Sequence, residues 1–549
     1  MRKGGPIGLA VAVALPLLGQ AAFAATAPGP AARPRQVAVL TAALGLMRAD
    51  YAELRSQDPG PEDVFDYQVG PLWRRGIDGA GTTIALIEGW DDPAIAAQVH
   101  VFDQRLGLPD PRITTIYPTG DHALPAKCPP GMAALGDYGS CAGWAGELEL
   151  DVLSAHLMAP YASILIAVAP ADSEITDDAA SQVAPPEMMQ AVEYIAGRRL
   201  ANVISISTST GEETYSHGRA EITAQDAGEL TAAAAGIPVL VVTGDCDAAQ
   251  HLPVAGAPCV PGATTTGRAT AAWDDSPWVT AVGGSVPDLT ASGRRAGSDP
   301  VWNAEPSGIA FGSGAGLSAV FGRPGYQDQV RAITRSGMRS VPDLTMDARR
   351  GTSEAAPLLA GVLALATQAN HGRDIGPLNN VLYHVLGPHG LADGIADVVN
   401  GDDSVYRGGA LVLRGFTAAK GFDVVSGWGT VRASRFVPAL AAATAAAHQD
   451  RAVRRRAAAA LAVLRHRVKI SPGDIPAGGS AVLSAGGFLP LHPVTLSLGG
   501  RIIAVARAGP AGRVSYAISP AALGLAAGRH TLRLTSMLLT VRTTFRSRA

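Results

Sequence analysis

Between residues 82 and 242 the chain repeats one pattern, a short unbroken apolar run followed by a longer helical stretch. The runs are Thr82–Ile87, Ile164–Val168, Asn202–Ser207 and Pro238–Val242. None alternates strictly between apolar and polar, as expected of strands buried on both faces of a parallel sheet. Helical stretches over Glu147–Met158, Pro186–Ala196 and Ala224–Ala235 separate them. Repeated strand-helix-strand units predict an α/β fold, a doubly wound parallel sheet whose strand C-termini are open to chemistry. Upstream, residues 25–60 are rich in Ala, Pro and Arg, with one helix expected from Val37 to Leu54. Downstream, residues 451–467 read as a basic, Ala-rich helix. The pattern then becomes short alternating runs between Gly/Pro turns, among them Ala481–Leu483, Val494–Leu498, Val514–Tyr516 and His530–Leu534. A small all-β, Ig-like sandwich over 468–549 is the economical reading.

Composition sharpens the picture in two places. The chain is 47% hydrophobic and 17% charged, with a mean hydropathy of +0.17, which excludes a disordered chain. Net charge is −3, yet residues 451–549 carry fifteen Lys/Arg against one acid, Asp474, so +14 sits there and −17 on residues 1–450. That asymmetry predicts a domain boundary near 450. At the other end, Arg2 and Lys3, the apolar stretch Ile7–Leu18 and Ala22-Phe23-Ala24 read as a signal peptide, residues 1–24, and so as a secreted, extracellular protein. No later window is long and apolar enough to predict a transmembrane anchor.

Four cysteines are present. Cys128 and Cys141, and Cys246 and Cys259, are each 13 apart. Of the three connectivities available, two local disulfides suit an oxidising compartment. A structural zinc is disfavoured because no CxxC spacing occurs.

Three segments offer chemistry. Gly351-Thr352-Ser353-Glu354-Ala355-Ala356-Pro357 leads into the apolar stretch Leu358–Ala366. Ser353 is therefore expected at a buried helix N-terminus, where backbone amides and the helix dipole favour developing negative charge. Pro357 is expected in the first turn, where a missing N–H costs little. An ordinary serine N-cap fits the same residues. A serine nucleophile needs a base, and none of the twelve histidines lies in a Gly-rich helix start. Instead Trp144-Ala145-Gly146-Glu147-Leu148-Glu149-Leu150-Asp151 puts Glu147 and Asp151 four apart on one helix face. Stacked carboxylates can share a proton, although a solvated acidic face has the same spacing. Third, the apolar run Val241–Val242 ends in Thr243-Gly244-Asp245-Cys246, where Asp245 either lines a site or caps the next helix.

Taken together and in this order, the motifs resemble the sedolisin family of serine-carboxyl peptidases, also called the tripeptidyl-peptidase I or kumamolisin-like family. The likeness runs from about Gly79 to Leu440. It includes Ile84–Glu88, Met158-Ala159-Pro160, Ser205-Ile206-Ser207, Ser276–Gly284, Val301-Trp302-Asn303, Gly312–Gly316 and Val341-Pro342-Asp343. The resemblance implies a subtilisin-like fold over residues 61–446, with 447–467 a basic helical linker and 25–60 a linker or remnant pro-segment. It further implies an acid-active endopeptidase acting on proteins or peptides. Ser353 would be the nucleophile and Glu147 its base; Asp151 would orient Glu147, Asp245 would donate to the oxyanion, and Glu88 would extend the acid network. It also implies one structural Ca²⁺, held by Asp397 and Asp423 and by carbonyls of Val398, Ala419 and Gly421, an all-oxygen set that suits a hard cation. A monomer is expected. The +14 C-terminal region is expected either as a solubilising surface or as a docking face for the acidic catalytic domain, an anionic envelope polymer or nucleic acid in the surroundings, with no specific nucleic-acid partner.

The chain departs from the family pattern at several points. No large prodomain fits within residues 25–60. Thr208-Ser209-Thr210-Gly211 stands where many members have Trp-Gly, and Ala315 interrupts a glycine run. Only Ala348-Arg349-Arg350 separates Met346-Asp347 from Gly351. Two other readings therefore stand beside the first: a subtilisin-type enzyme, weakened by the lack of a suitable His, and a catalytically impaired binding protein on the same fold.

Overall fold

The computed structural model describes residues 33–56, 59–118, 140–169, 185–252, 259–304, 308, 311–446, 449–465, 468–537 and 539–548. They fall into two compact units, Ala24–Leu464 and a second that includes Arg465–Ala549. The expected signal peptide lies outside the described residues.

In the first unit, Thr83–Glu88 (β1), Ile113–Ile116 (β2), Ser163–Val168 (β3), Val203–Ile206 (β4), Val239–Val242 (β5) and Thr280–Ser285 (β6) join a later strand in one sheet. Gly316–Gly322 (β7) and Met338–Val341 (β8) pair antiparallel apart from it. Leu344–Asp347 (β9) completes the seven-stranded sheet, in the order β2-β3-β1-β4-β5-β6-β9. Every pairing in it is parallel. Strands β4, β5 and β6 are buried at every residue, which is why their sequences do not alternate. Four short strands, Ile395–Ala396 (β10), Val405–Arg407 (β11), Ala410–Leu413 (β12) and Thr430–Val431 (β13), form two small antiparallel pairs.

Two helices bring the site together. Cys141–Met158 starts at Ser140, whose side chain accepts from Gly143 N at 3.1 Å, an N-cap worth about 1 kcal/mol. Thr352–Ala369 is buried on nearly every side. The two approach closely at Gly361, where a Cβ would lie 2.5 Å from Met158 Cβ and 2.7 Å from the Ala155 carbonyl oxygen.

Pro357 lies beyond the first turn of its helix, not within it, because the helix already begins at Thr352. The missing Pro357 N–H leaves the Ser353 carbonyl without its helical donor. Ser207 Oγ lies 3.3 Å from that oxygen and shares its one proton between it and Asp151 Oδ2, 2.8 Å away.

The strand leading to Ser353 is anchored below. Arg339 and Asp343 form a fully buried ion pair at 2.6 Å. Asp343 also accepts from Ala281 N at 2.9 Å, Asn379 Nδ2 at 3.1 Å and Tyr383 Oη at 2.7 Å. A buried pair is tolerated only when its remaining lone pairs are satisfied in this way.

The segment before residue 60 is not a bare tether. Helix Arg33–Ala49 buries Leu40, Ala43, Leu44 and Met47 in the main core. The basic helix Gln449–Leu464 likewise belongs to the first unit, with Ala457 packed on Leu230 and Ala233 and Arg454 donating to the Ala235 carbonyl at 2.9 Å.

The second unit is all-β. Lys469–Ser471 (β14), Asp474–Ile475 (β15), Ala481–Ala485 (β16), Pro493–Leu498 (β17), Arg501–Arg507 (β18), Val514–Ile518 (β19), Gly528–Ser536 (β20) and Leu539–Ser547 (β21) make a three-stranded and a five-stranded sheet. Their inward residues, among them Leu483, Leu496, Ile518, Leu534 and Phe545, share one core.

Candidate active site

Ser353 sits in the first turn of its helix, partly exposed, at the edge of the sheet where β4, β5 and β9 end. Gly351, just before the helix, has φ +98°, and a Cβ there would lie 2.7 Å from Asp245 Oδ2. Only glycine allows both that backbone and that approach. Asp245 follows β5, and its Oδ1 accepts from Thr352 N at 2.8 Å and Thr352 Oγ1 at 2.7 Å. The Asp245 loop is held by Gly312 N donating to Asp245 O at 2.9 Å and Gly314 N donating to Gly244 O at 2.8 Å. Close packing demands glycine at 312 and 314, where a Cβ would fall 1.6 Å from Asp247 Oδ1 and 2.1 Å from Thr243 O. Ala315 interrupts the run without harm because its methyl joins a small core with Val301, Val398 and Val425. Cys246 and Cys259 are bonded as the local pairing predicts. Cys128, the expected partner of Cys141, lies outside the described residues.

On the other side of Ser353 stand three carboxyls. Glu88 ends β1 and is fully buried, as is Asp151; Glu147 is partly exposed. Burial pushes Glu88 and Asp151 well above the carboxylate range; the charges of Asp151 and Glu147 raise Glu88 further, and Glu147 raises Asp151 while hydrogen bonds with Ser207 and Glu88 pull it down. Glu147 is pushed up to about 7, first by burial; hydrogen bonding with Ser353 and the charge of Arg350 pull it down, while Asp245 pushes it further up. Burial also raises Asp245, opposed by its bonds from Thr352. The Ser353 hydroxyl donates to the Ser207 carbonyl at 3.4 Å, the outer limit of a hydrogen bond, while Glu147 Oε1 has no short partner among the described residues. Trp144 walls the network, lying so close to Gly89 that a Cβ there would meet its ring at 2.3 Å.

Ser207 also joins the site, through bonds that no local pattern announces. Its Oγ donates to Asp151 Oδ2 at 2.8 Å as well as reaching the Ser353 carbonyl, so it ties the buried acids to the turn that carries Ser353. Its only signal in the sequence was its place in Ser205-Ile206-Ser207.

The short Asp347–Arg350 turn is tied down. Arg349 bonds Asp347 through Nε at 2.9 Å and also pairs with Glu62, which accepts from Tyr51 Oη at 3.2 Å. Carboxyls of Asp63, Asp347 and Glu354 converge, buried, beneath the turn. Arg350 is exposed at the mouth of the site.

The residues expected to hold calcium also come together, away from this network. Asp397 Oδ2 accepts from Gly421 N at 2.8 Å, and Asp423 Oδ2 accepts from Ala419 N at 2.7 Å. Asp423 Oδ1 accepts from Val425 N at 3.1 Å and from Ser426 N at 2.8 Å. Asp397 Oδ1 is buried without a hydrogen-bond partner among the described residues. Two carboxylates gathered on one turn with an unsatisfied oxygen fit a hard cation.

No protein-family profile matches the chain. It is 27% identical to kumamolisin from Bacillus sp. (strain MN-32) over 425 residues, 71% of this chain and 65% of that protein. It is 32% identical to tripeptidyl-peptidase sed5 from Aspergillus fumigatus over 206 residues, 30% of this chain and 33% of that one. The chain thus spans less than two thirds of the length of these curated relatives. Among solved structures, Pseudomonas sedolisin complexed with two molecules of pseudo-iodotyrostatin superposes with a TM-score of 0.53 at 24% identity, covering 66% of this chain and 92% of that one.

Proposed function

The chain belongs to the sedolisin family of serine-carboxyl peptidases, and from that premise we propose that it is a secreted, acid-active endopeptidase that hydrolyses peptide bonds in proteins. The observation that carries this is Ser353 at a buried helix N-terminus, with Glu147 and its buried partners Asp151 and Glu88 on one side and Asp245 on the other. Among the described residues no histidine hydrogen-bonds any of the four acids or Ser353, which counts against an Asp-His-Ser mechanism.

In this reading Ser353 Oγ attacks the scissile carbonyl carbon while Glu147 takes its proton. The oxyanion forms against a protonated Asp245 and the first helical amides. Glu147 then gives the proton to the leaving amine, and water, deprotonated by the same carboxylate, releases the acyl group. Asp151 orients Glu147, and Ser207 fixes Asp151. Secretion is supported by the signal-peptide pattern of residues 1–24 and by the disulfide.

The sign of the pH dependence follows. Catalysis needs Glu147 ionised and Asp245 protonated, so the working species is the pair holding one proton. The pair loses its protons in two macroscopic steps that belong to both groups. Rate rises through the first and falls through the second; burial raises Glu147 and Asp245 alike, and an oxyanion donor that must keep its proton favours acid. Hydrolysis of a denatured protein across pH 3 to 8 is therefore expected to peak below neutrality. A peak above it would sink the proposal, and inactivity at every pH from folded protein would return the non-catalytic reading. Stability should follow the same direction. Glu88 and Asp151 bind protons more tightly folded than unfolded, so their contribution is complete below about pH 4 and is lost as pH rises. Tm is expected to be higher at pH 5 than at pH 8.

Calcium is the proposed structural ion, held by Asp397, Asp423 and the carbonyls of Val398, Ala419 and Gly421. When bound it supplies charge neutralisation and fixes the 419–423 turn. A ligand that binds only the folded state stabilises it by mass action. Chelation is expected to lower Tm by roughly 5 °C or more, and an unchanged melting curve would count against the ion.

A further inference from the structure

We infer that the outer face of the five-stranded sheet in the C-terminal unit binds a linear acidic polysaccharide. On β20 the inward residues are Leu532, Leu534 and Ser536, while Arg529, Thr531 and Arg533 are exposed. On β21, Arg542, Thr544 and Arg546 are exposed in the same alternation. The register sets Arg529 opposite Arg546, Thr531 opposite Thr544, Arg533 opposite Arg542 and Thr535 opposite Thr540. Directly paired residues share a face, so two arginine pairs and two threonine pairs alternate along one surface. Arg507 extends it from β18, paired with the exposed Pro493 of β17.

Like charges set directly opposite each other destabilise a sheet, and this face carries two such pairs. The unit has a single acid from residue 468 onward, Asp474. That carboxylate opposes Arg546 at the sheet edge but is bonded by Arg548. Arg529, Arg533 and Arg542 have no other side-chain carboxylate of this unit to meet, so a ligand that brings anionic groups in series relieves a repulsion the fold already holds.

The geometry selects among polyanions. The arginine pairs are about 13 Å apart along the strands, at ~3.3 Å per residue, with hydroxyl rows between them. Alternating guanidinium and hydroxyl rows suit a chain that alternates charged groups with sugar hydroxyls. Single-stranded nucleic acid is held largely by stacking on aromatics, and this face has none: Phe488 and Phe545 are buried, and Tyr516 belongs to β19 in the other sheet.

The test uses the full chain and polygalacturonate as the probe, with binding measured at 50 and 200 mM NaCl. Arg533→Thr/Arg542→Thr is expected to weaken binding at least tenfold and to flatten its salt dependence, while leaving Tm unchanged or higher because a like-charge pair is gone. Arg451→Ser/Arg455→Ser removes the same charge from the basic helix and is expected to bind as the wild type does. Equal weakening by both double variants would overturn the proposal, as would tighter binding of duplex DNA or polyphosphate than of polygalacturonate, since either result would describe a generic basic surface.

Discussion

Ser353→Ala and Glu147→Ala are each expected to lower kcat/KM on a peptide substrate by about 10³-fold or more, with Tm little changed. In the proposed mechanism the first removes the attacking oxygen and the second the carboxylate that takes its proton, Asp151 being bonded to Ser207 and Glu88 fully buried. Groups that act as one unit give non-additive losses. The double variant should therefore be no worse than the more damaged single one, retaining whatever rate Asp245 and substrate binding supply. Activity assays on the three variants at the wild-type pH optimum check this. Losses that multiply would mean that Glu147 acts independently of the serine, and an active Ser353→Ala would remove the nucleophile from the proposal. Because Ser353 and Glu147 are both partly exposed, neither truncation opens a core cavity, so unfolding would not explain a loss.

The parts of this site that were legible in the sequence are those whose signal is local. Strands β1, β3, β4 and β5 appear as unbroken apolar runs because both faces are covered. Glu147 and Asp151 share a face by helical spacing, and the glycine before Thr352 announces a turn. The sheet's outer members were harder to read: β2 is half-buried throughout, and β9 is only four residues long and ends in Asp347. The function of Ser207 depends on where β4 ends relative to a helix 146 residues later, which no spacing rule encodes. The clipped turn gives the sharpest case. In sequence, the short Ala348-Arg349-Arg350 fits altered specificity as well as a weakened site; in the fold, Arg349 is held by Asp347 and by Glu62, 287 residues away. A long-range ion pair thus holds the turn before Ser353. Similarly, the apolar positions 40, 43, 44 and 47 fit a helix, but their burial partners lie in the main core and could not be named from the pattern.

Gly351→Ala is the second large effect, and it separates the oxyanion assignment of Asp245 from the nucleophile assignment of Ser353. At φ +98° an alanine is strained by about 1–3 kcal/mol. Its Cβ would also sit 2.7 Å from Asp245 Oδ2, closer than atoms tolerate. Either the turn relaxes and carries Thr352 and Ser353 with it, or Asp245 swings away and gives up its bonds from Thr352. In both cases the donor no longer faces the place where the oxyanion forms, and loss of one such donor costs about 10²–10³ in rate. The fall should appear in kcat more than in KM, since the oxyanion exists only beyond the ground state. Gly372→Ala is the matched control: it lies just past the other end of the same helix, at φ +73° with nothing within 4 Å of a Cβ, so it carries backbone strain without the contact. It should lose stability to a similar degree and keep its kcat. If Gly351→Ala keeps kcat within a few-fold while Gly372→Ala behaves as expected, Asp245 does not stabilise the oxyanion, and that charge must be met by backbone amides at the helix start alone.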